Sequence, residues 1–231
     1  MTCNDPLLLI PEMMCDARLF APQIAALSAS RTISVPVMRG ATVQEIATNI
    51  LANASPVFAV AGLSMGGIVA MEIMAQAPQR ISRVALLDTN PLAETEEVAA
   101  RRGPQIEAAQ NGDMIAIMAA QMFPYYLADT TDQAHIIAQC YDMAKALGPD
   151  AFVAQSMALR SRPDQQDTLR NVTVPALVLC GEHDKLCPIH RHTLMAELMP
   201  HATLEIIPNA GHIPTLEQPD LTNEALRKWL T

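Results

Sequence analysis

Six short apolar runs recur along the 231-residue chain, and each is separated from the next by a longer stretch with the spacing of a helix. Strands that alternate with helices predict a mostly parallel sheet with helices on both of its faces. We therefore predict an α/β fold with six strands around one main core. The predicted strands are residues 7–10, 33–37, 57–61, 84–87, 176–179 and 204–207.

The composition of the individual runs predicts where each strand lies in the sheet. The runs VFAVA (57–61) and ALVLC (176–180) are apolar at every position, which is typical of central strands buried on both faces. The run TLEII (203–207) is interrupted by Glu205. We therefore expect the last strand to lie at an edge of the sheet.

The alternation breaks between the fourth and fifth strands, where residues 92–162 hold several amphipathic helical patterns and no convincing strand. This break predicts a core of residues 1–91 and 163–231, with a helical cap of residues 92–162 inserted after the fourth strand. Open parallel sheets bind ligands at the carboxyl ends of their strands. A cap inserted at that edge of the sheet would cover the crevice in which the ligand binds.

The segment GLSMGG (62–67) follows the third predicted strand and directly precedes a helical pattern. Gly62 and Gly66 permit a sharp turn that would place Ser64 at the carboxyl end of a central strand. The backbone N–H of Met65, at the start of the helix, could then donate to a developing oxyanion. These features indicate a nucleophile, and the alternative is that Ser64 only caps the helix.

A serine hydroxyl needs a base to take its proton and an acid to orient that base. The segment LVLCGEHDKLCP (177–188) places Asp184 after the fifth strand, and LEIIPNAGHIPTLEQP (204–219) places His212 after the sixth. With Ser64, these residues would meet at one end of the sheet. Asp88, which follows the fourth strand in LLDTNP (86–91), is the rival acid, and we favour Asp184.

These three motifs resemble the nucleophile elbow, acid loop and histidine loop of the α/β-hydrolase superfamily, of the esterase, enol-lactonase and C–C hydrolase type. The resemblance covers nearly the whole chain and implies that fold without its first two strands. The segment PLLLIPEMMCDARLFAPQIAAL (6–27) resembles the superfamily's oxyanion-loop strand and first helix. This resemblance implies that the backbone N–H groups of Met13 and Met65 donate the two hydrogen bonds to the oxyanion.

One position departs from the superfamily pattern. Relatives usually carry His-Gly where this chain has Pro11-Glu12. A carboxylate near a developing oxyanion would oppose catalysis unless it turned away or were paired, with Arg18 as a candidate partner. If Glu12 points inward, its replacement by glycine should raise turnover.

Three further residues are candidates for substrate contact. Arg160 and Arg162 lie where the insertion returns to the sheet, and either could clamp a substrate carboxylate. The alternative is that both are ordinary solvent-exposed or structural arginines. Met14, beside Met13 in the oxyanion-loop segment, is the third candidate.

The sequence supports three functions. The first is a serine hydrolase that cleaves an ester, thioester or lactone of a small, mainly apolar acyl group, with no metal or organic cofactor. The second uses the same triad for C–C bond hydrolysis or a proton-abstracting elimination on a carboxylate-bearing metabolite. The third is a ligand-binding member of the fold without catalysis, since a fold does not guarantee function.

Composition limits the partners. The net charge of −9 and the 3% of aromatic residues argue against nucleic acid, and we expect a small-molecule substrate. The start of the chain shows neither a basic leader nor a membrane-length apolar run, which predicts a cytoplasmic protein without membrane attachment. A monomer and a homodimer both stay open. Scattered cysteines without CxxC pairing predict free thiols and no zinc site: Cys3, Cys15, Cys140, Cys180 and Cys187.

Overall fold

The computed structural model describes residues 5–129 and 134–231, so that Cys3 lies outside the described residues. Six strands form one sheet in the order β2-β1-β3-β4-β5-β6, and every neighbouring pair is parallel. The predicted parallel sheet is confirmed. The strands are β1 (Leu7–Ile10), β2 (Ile33–Ser34), β3 (Phe58–Leu63), β4 (Ile81–Leu87), β5 (Ala176–Gly181) and β6 (Thr203–Ile207).

The two edges of the sheet differ from the buried centre. Strand β6 lies at one edge, as its interrupted pattern predicts, and most of its residues are only partly buried. Strand β2, at the other edge, is two residues long, so the predicted strand over residues 33–37 was too long. Pro36 has no backbone N–H to donate to a neighbouring strand, which stops the pairing.

Helices pack on both faces of this sheet, with α1 against α10 and α2 against α3. Between β4 and β5, the residues described in the stretch 92–162 form helices and no strand. The helices are α1 (Ala21–Leu27), α2 (Val43–Asn53), α3 (Met65–Gln76), α4 (Glu96–Ala108), α5 (Met114–Gln121), α6 (Ala134–Arg160), α7 (Gln166–Arg170), α8 (Ile189–Leu198), α9 (Pro214–Glu217) and α10 (Pro219–Leu230).

Helix α3 is the central helix of the core. Ten consecutive residues, from Met65 to Met74, are buried, as expected of a helix that is apolar on nearly every side. Its one buried acid, Glu72, accepts hydrogen bonds from Gln165 at 2.8 Å and Gln76 at 3.0 Å. The core therefore holds the first turn of α3 rigidly against the carboxyl end of β3.

No helix in the described part of the chain combines the length and the apolar character needed to cross a membrane.

Candidate active site

Ser64 lies between β3 and α3 in a conformation that few non-glycine residues adopt, with φ of 52° and ψ of −112°. A Cβ atom on Gly62 would lie 2.1 Å from the carbonyl oxygen of Gly66, and one on Gly66 would lie 2.0 Å from that of Ile10. Glycine is therefore required on both sides of the serine. The Ser64 side chain makes no capping hydrogen bond to α3, which removes the support for a helix-cap role.

His212 and Asp184 form a hydrogen-bonded pair behind this turn. The Nδ1 atom of His212 lies 2.9 Å from Oδ2 of Asp184, and both side chains are almost fully buried. The other carboxylate oxygen, Oδ1, accepts the backbone N–H groups of Leu186 at 2.8 Å and Cys187 at 2.9 Å. Asp184 is thus fixed at both oxygens and orients the imidazole ring.

The charges of this pair shift both pKa values. Burial would lower the pKa of His212, but the negative charge of Asp184 and their hydrogen bond outweigh it and raise that pKa above 6.5. Burial would raise the pKa of Asp184, but the His212 charge and hydrogen bond, with the two backbone donors, lower it. The pair therefore favours an ionised aspartate beside a basic imidazole.

The second ring nitrogen of His212, Nε2, is buried and has no hydrogen-bond partner among the described residues. Ser64 and His212 line the same cavity, but no hydrogen bond joins them in this structure. Contacts between a nucleophile and its base are often long before substrate binds. Nε2 is thus the ring nitrogen without a partner, on a residue that lines the same cavity as Ser64.

Asp88, the rival acid, has a different role in the structure. One of its oxygens accepts the backbone N–H of Gly181 at 2.8 Å, whereas the other has no partner among the described residues. Burial, followed by the nearby charge of Asp184, raises the pKa of Asp88 well above its usual value. Asp184, and not Asp88, is hydrogen-bonded to His212.

The position predicted for an oxyanion is occupied by Glu12. Its Oε2 atom accepts the backbone N–H of Met65 at 3.0 Å, and the residue is 4% exposed. Glu12 therefore points inward. The expected pairing with Arg18 was wrong, because Arg18 lies 2.6 Å from Asp16 and binds that carboxylate instead.

Ser64 and His212 open into a cavity of about 500 Å³. Of the other predicted site residues, Met13, Met65 and Arg162 line it, whereas Met14 and Arg160 do not. Met14 has a positive φ of 58° and is fully buried, so its predicted contact with substrate stays a prediction. Arg160 is the last residue of α6 and is exposed.

One wall of the cavity is basic. Arg102 and Arg162 share a single carboxylate, that of Glu94, at 2.6 and 2.9 Å. Arg191, on α8, lines the same cavity. Burial lowers the pKa of Arg162, the charge of Glu94 opposes this shift, and the positive charges of Arg102 and Arg191 add to it. Three guanidinium groups and one carboxylate leave this wall with an excess of positive charge.

Sequence reasoning missed two residues that hold the histidine loop. Glu217 accepts the backbone N–H groups of Ala128 and Gly211, each at 2.8 Å. The carbonyl oxygen of Tyr126 accepts the N–H of His212 at 2.7 Å. Glu217 is the only acid in the apolar segment HIPTLEQP (212–219), a signal that could have found it. Tyr126 has no such signal.

Asp184, Cys187 and His212 are the one group among the described residues that could hold a metal ion. Metal binding would require the thiolate form of Cys187. Burial, followed by the charges of Asp184 and Asp88, raises the pKa of this thiol well above its usual value. The carboxylate is already fully hydrogen-bonded, so the donor set suits an acid–histidine pair better than a metal.

A family model described as "Alpha/beta hydrolase family" matches residues 18–225. The chain is also similar to the pimeloyl-[acyl-carrier protein] methyl ester esterase of Xanthomonas axonopodis pv. citri (strain 306). The two are 27% identical over 216 residues, which cover 87% of this chain and 79% of the relative. This chain also matches two further curated relatives, but the matches cover only 64% of the length of one relative and 30% of the length of the other.

Solved structures are similar over almost the whole chain. A thermophilic esterase from Thermogutta terrifontis, solved with malate bound, is 26% identical with a TM-score of 0.88, over 97% of this chain and 89% of that chain. The enol-lactonase from Burkholderia xenovorans LB400 also has a TM-score of 0.88, at 23% identity, over 98% of this chain and 91% of that chain. These likenesses confirm the predicted fold class.

Proposed function

This chain belongs to the alpha/beta hydrolase family, and from that premise we propose that it is a serine hydrolase. Its substrate would be an ester, thioester or lactone of a small, mainly apolar acyl group. The observation that carries the proposal is the His212–Asp184 pair, in which Nε2 has no partner and His212 lines the same cavity as Ser64. The esterases and the lactonase among the similar proteins support this reaction class.

The reaction would begin when Oγ of Ser64 attacks the acyl carbon and Nε2 of His212 takes the serine proton. Asp184 stabilises the imidazolium ion that forms. The N–H groups of Met65 and Met13 would hold the developing oxyanion. His212 then returns the proton to the leaving alcohol or thiol, which completes the acyl-enzyme.

Deacylation would repeat these steps with water. His212 takes a proton from water as its oxygen attacks the acyl carbon, and then returns that proton to Oγ of Ser64. The products are the free acid and the regenerated serine. Over the two stages, the leaving group gains the proton of Ser64 and water replaces it, with His212 as the carrier.

The cavity wall supports a mainly apolar acyl group. Apolar side chains lie beside the nucleophile, on the core and on the helices between β4 and β5, which we propose act as a cap. They include Met13, Ile68, Leu92, Met122 and Leu159. A cavity of about 500 Å³ suits a small metabolite.

A panel of p-nitrophenyl esters and acyl thioesters of increasing chain length tests the proposal. We expect hydrolysis that peaks at one chain length and is lost in Ser64→Ala. The control is Ser161→Ala, a serine at the exposed end of α6. Equal activity in wild type and Ser64→Ala would contradict the proposal.

The basic wall favours a second candidate, in which the triad acts on a carboxylate-bearing metabolite by C–C hydrolysis or elimination. Arg191 lines the cavity beside two arginines that share one carboxylate. A substrate carboxylate would neutralise the excess positive charge. The malate bound in the similar T. terrifontis esterase is itself a dicarboxylate.

Inhibition of ester hydrolysis by small dicarboxylates tests this candidate. Malate or adipate should inhibit competitively, their uncharged diamides should not, and Arg191→Gln should weaken the inhibition by about tenfold. Arg160→Gln, the matched change at an arginine outside the cavity, should leave it unchanged. Equal inhibition of all three proteins would refute an anion-binding role for Arg191.

A further inference from the structure

The hydrogen-bond donor that a substrate carbonyl needs is already in use. Oε2 of Glu12 accepts the Met65 N–H at 3.0 Å, from a residue that is 4% exposed. In the proposed reaction, the same N–H must donate to the acyl oxygen as negative charge develops there. A carboxylate in this position blocks that oxygen and repels its charge.

No cation neutralises Glu12 within the part of the chain that the structure describes. The ion pairs of nearby basic groups go elsewhere, since Arg18 binds Asp16 and Arg162 binds Glu94. The Met65 N–H is the donor that holds the Glu12 carboxylate at the oxyanion position. If the Glu12 carboxylate leaves the Met65 N–H, it therefore needs another hydrogen-bond donor.

The Tyr126 hydroxyl is a donor of this kind. Tyr126 is fully buried, and its hydroxyl group makes no hydrogen bond of good geometry with the described residues. Burial raises the pKa of Tyr126 well above its usual value, and the charge of the neighbouring Glu12 carboxylate and a hydrogen bond with that side chain raise it further. Buried hydroxyl groups without a well-formed hydrogen bond are rare in proteins, so this one calls for an explanation.

Tyr126 is fixed in place, whereas Glu12 has side-chain torsions along which it can move. The Tyr126 carbonyl oxygen accepts the His212 N–H at 2.7 Å. Its ring packs edge-on against Phe123, with centroids 5.6 Å apart, and lies 5.8 Å from the ring of His212. The phenol therefore offers a stationary donor beside a movable carboxylate.

We propose that Glu12 is a gate on the oxyanion position, with Tyr126 as the donor that receives its carboxylate when the gate opens. With the gate closed, Glu12 occupies the Met65 N–H. When a substrate carbonyl enters, the carboxylate moves to the Tyr126 hydroxyl and the N–H becomes free. This proposal rests on the proposed hydrolase function, and it makes Glu12 a residue that controls acylation of Ser64.

The test measures the second-order rate at which a p-nitrophenyl alkylphosphonate labels Ser64, because the phosphonyl oxygen must occupy the oxyanion position. Attack by Oγ of Ser64 on phosphorus forms the O–P bond and releases nitrophenolate, which is followed by absorbance. The proteins are wild type, Glu12→Gly, Glu12→Gln, Tyr126→Phe and the double variant Glu12→Gly/Tyr126→Phe. Glu97→Gln and Tyr125→Phe are matched controls at exposed positions outside the cavity.

We expect Glu12→Gly to raise the labelling rate by at least about tenfold, since one oxyanion donor typically contributes about 10²–10³ in rate. Glu12→Gln keeps the size of the side chain without its charge and should give a smaller rise. Tyr126→Phe removes the receiving donor and should slow labelling by about fivefold, the effect of one ordinary hydrogen bond. In the Glu12→Gly background, the same tyrosine change should have no effect.

The double variant makes the outcome decisive. If Tyr126→Phe slows labelling equally with and without Glu12, the tyrosine acts independently of the carboxylate and the gate is refuted. The gate is also refuted if labelling at Ser64 proceeds at the wild-type rate in both Glu12 variants, while the hydrolase proposal stands. If neither the wild type nor any variant were labelled at Ser64, the result would contradict the hydrolase proposal, and the gate proposal, which rests on it, would also fail.

Discussion

The Nδ1 atom of His212 lies 2.9 Å from Oδ2 of Asp184, and solvent reaches almost none of either side chain. This contact fixes the tautomer of the ring, because a carboxylate accepts the Nδ1 proton and leaves Nε2 as the basic atom. Asp184 is itself fixed by the N–H groups of Leu186 and Cys187. The acid loop therefore determines which nitrogen of His212 can act as the base.

Asp184→Asn should lower kcat/KM for ester hydrolysis by about 10³–10⁴-fold, because an amide donor at this position favours the wrong imidazole tautomer. Steady-state kinetics with the best ester of the chain-length panel measures the loss. Asp142→Asn, the same change at an exposed position on α6, should match wild type. A loss of less than tenfold in Asp184→Asn would argue against a triad acid at this position.

The pH dependence of kcat/KM should report the raised pKa of His212. The imidazole must be neutral to act as a base, so activity is lost as pH falls through the His212 pKa, which lies above 6.5. The charges of Asp184, Glu12 and Glu217 all raise this pKa. Removal of the Asp184 charge in Asp184→Asn should move the acid limb to lower pH. If the acid limb of the profile lies at the same pH in Asp184→Asn as in wild type, the limb reports a group other than His212.

Asp88→Asn should leave kcat/KM within about fivefold of wild type, a change of about 1 kcal/mol in the activation free energy. Burial and the charge of Asp184 raise the pKa of Asp88, and asparagine keeps the size of the side chain and an oxygen that can accept the Gly181 N–H. A loss as large as that of Asp184→Asn would show that Asp88 acts as the triad acid.

The same substitution has a predicted effect on stability. The raised pKa of Asp88 means that the folded state keeps a proton that the unfolded state releases above about pH 3.8. The stability that this group contributes at low pH is therefore lost as pH rises toward its folded-state pKa. The stability of Asp88→Asn relative to wild type should therefore increase as pH rises above about 3.8, as measured by urea unfolding across a series of pH values. A difference in the free energy of unfolding that stays the same at every pH would contradict this assignment.

Gly66→Ala should destabilise the protein by about 3 kcal/mol or more, because its Cβ would lie 2.0 Å from the carbonyl oxygen of Ile10. Gly103→Ala is the matched control, since a Cβ on that residue of α4 would have no described atom within 4 Å. Alanine there should stabilise the helix by about 0.5–1 kcal/mol. Thermal and urea unfolding measure both effects. Equal tolerance of the two substitutions would contradict the described packing at Ser64.

Residue order and strand ends were enough to predict the approximate positions of Ser64, Asp184 and His212. The carboxyl ends of neighbouring parallel strands meet at one edge, so three loops that follow β3, β5 and β6 must lie together. The glycines around Ser64 are visible in the sequence because the turn admits no Cβ there. These features depend on backbone geometry, which short motifs encode well.

Side-chain directions were harder to predict, because they depend on packing between distant segments. Arg160 and Arg162 are two residues apart, yet Arg160 is exposed at the end of α6 while Arg162 turns to bind Glu94. Met14 has a positive φ and is fully buried, and neither property is visible in its local sequence. The contact of Tyr126 with His212 joins the inserted segment to the last loop, and no local pattern predicts it.

Acylation of Ser64 is the most direct test of the proposed function. The protein is mixed with p-nitrophenyl butyrate and the reaction is quenched with acid within milliseconds. The protein is then digested, and mass spectrometry measures the mass of the peptide that contains Ser64. We expect a burst approaching one nitrophenolate per chain and a butyryl group on Ser64, both absent from Ser64→Ala. Unmodified Ser64 and no burst with any ester of the panel would contradict the proposed hydrolase function and favour a ligand-binding protein without catalysis.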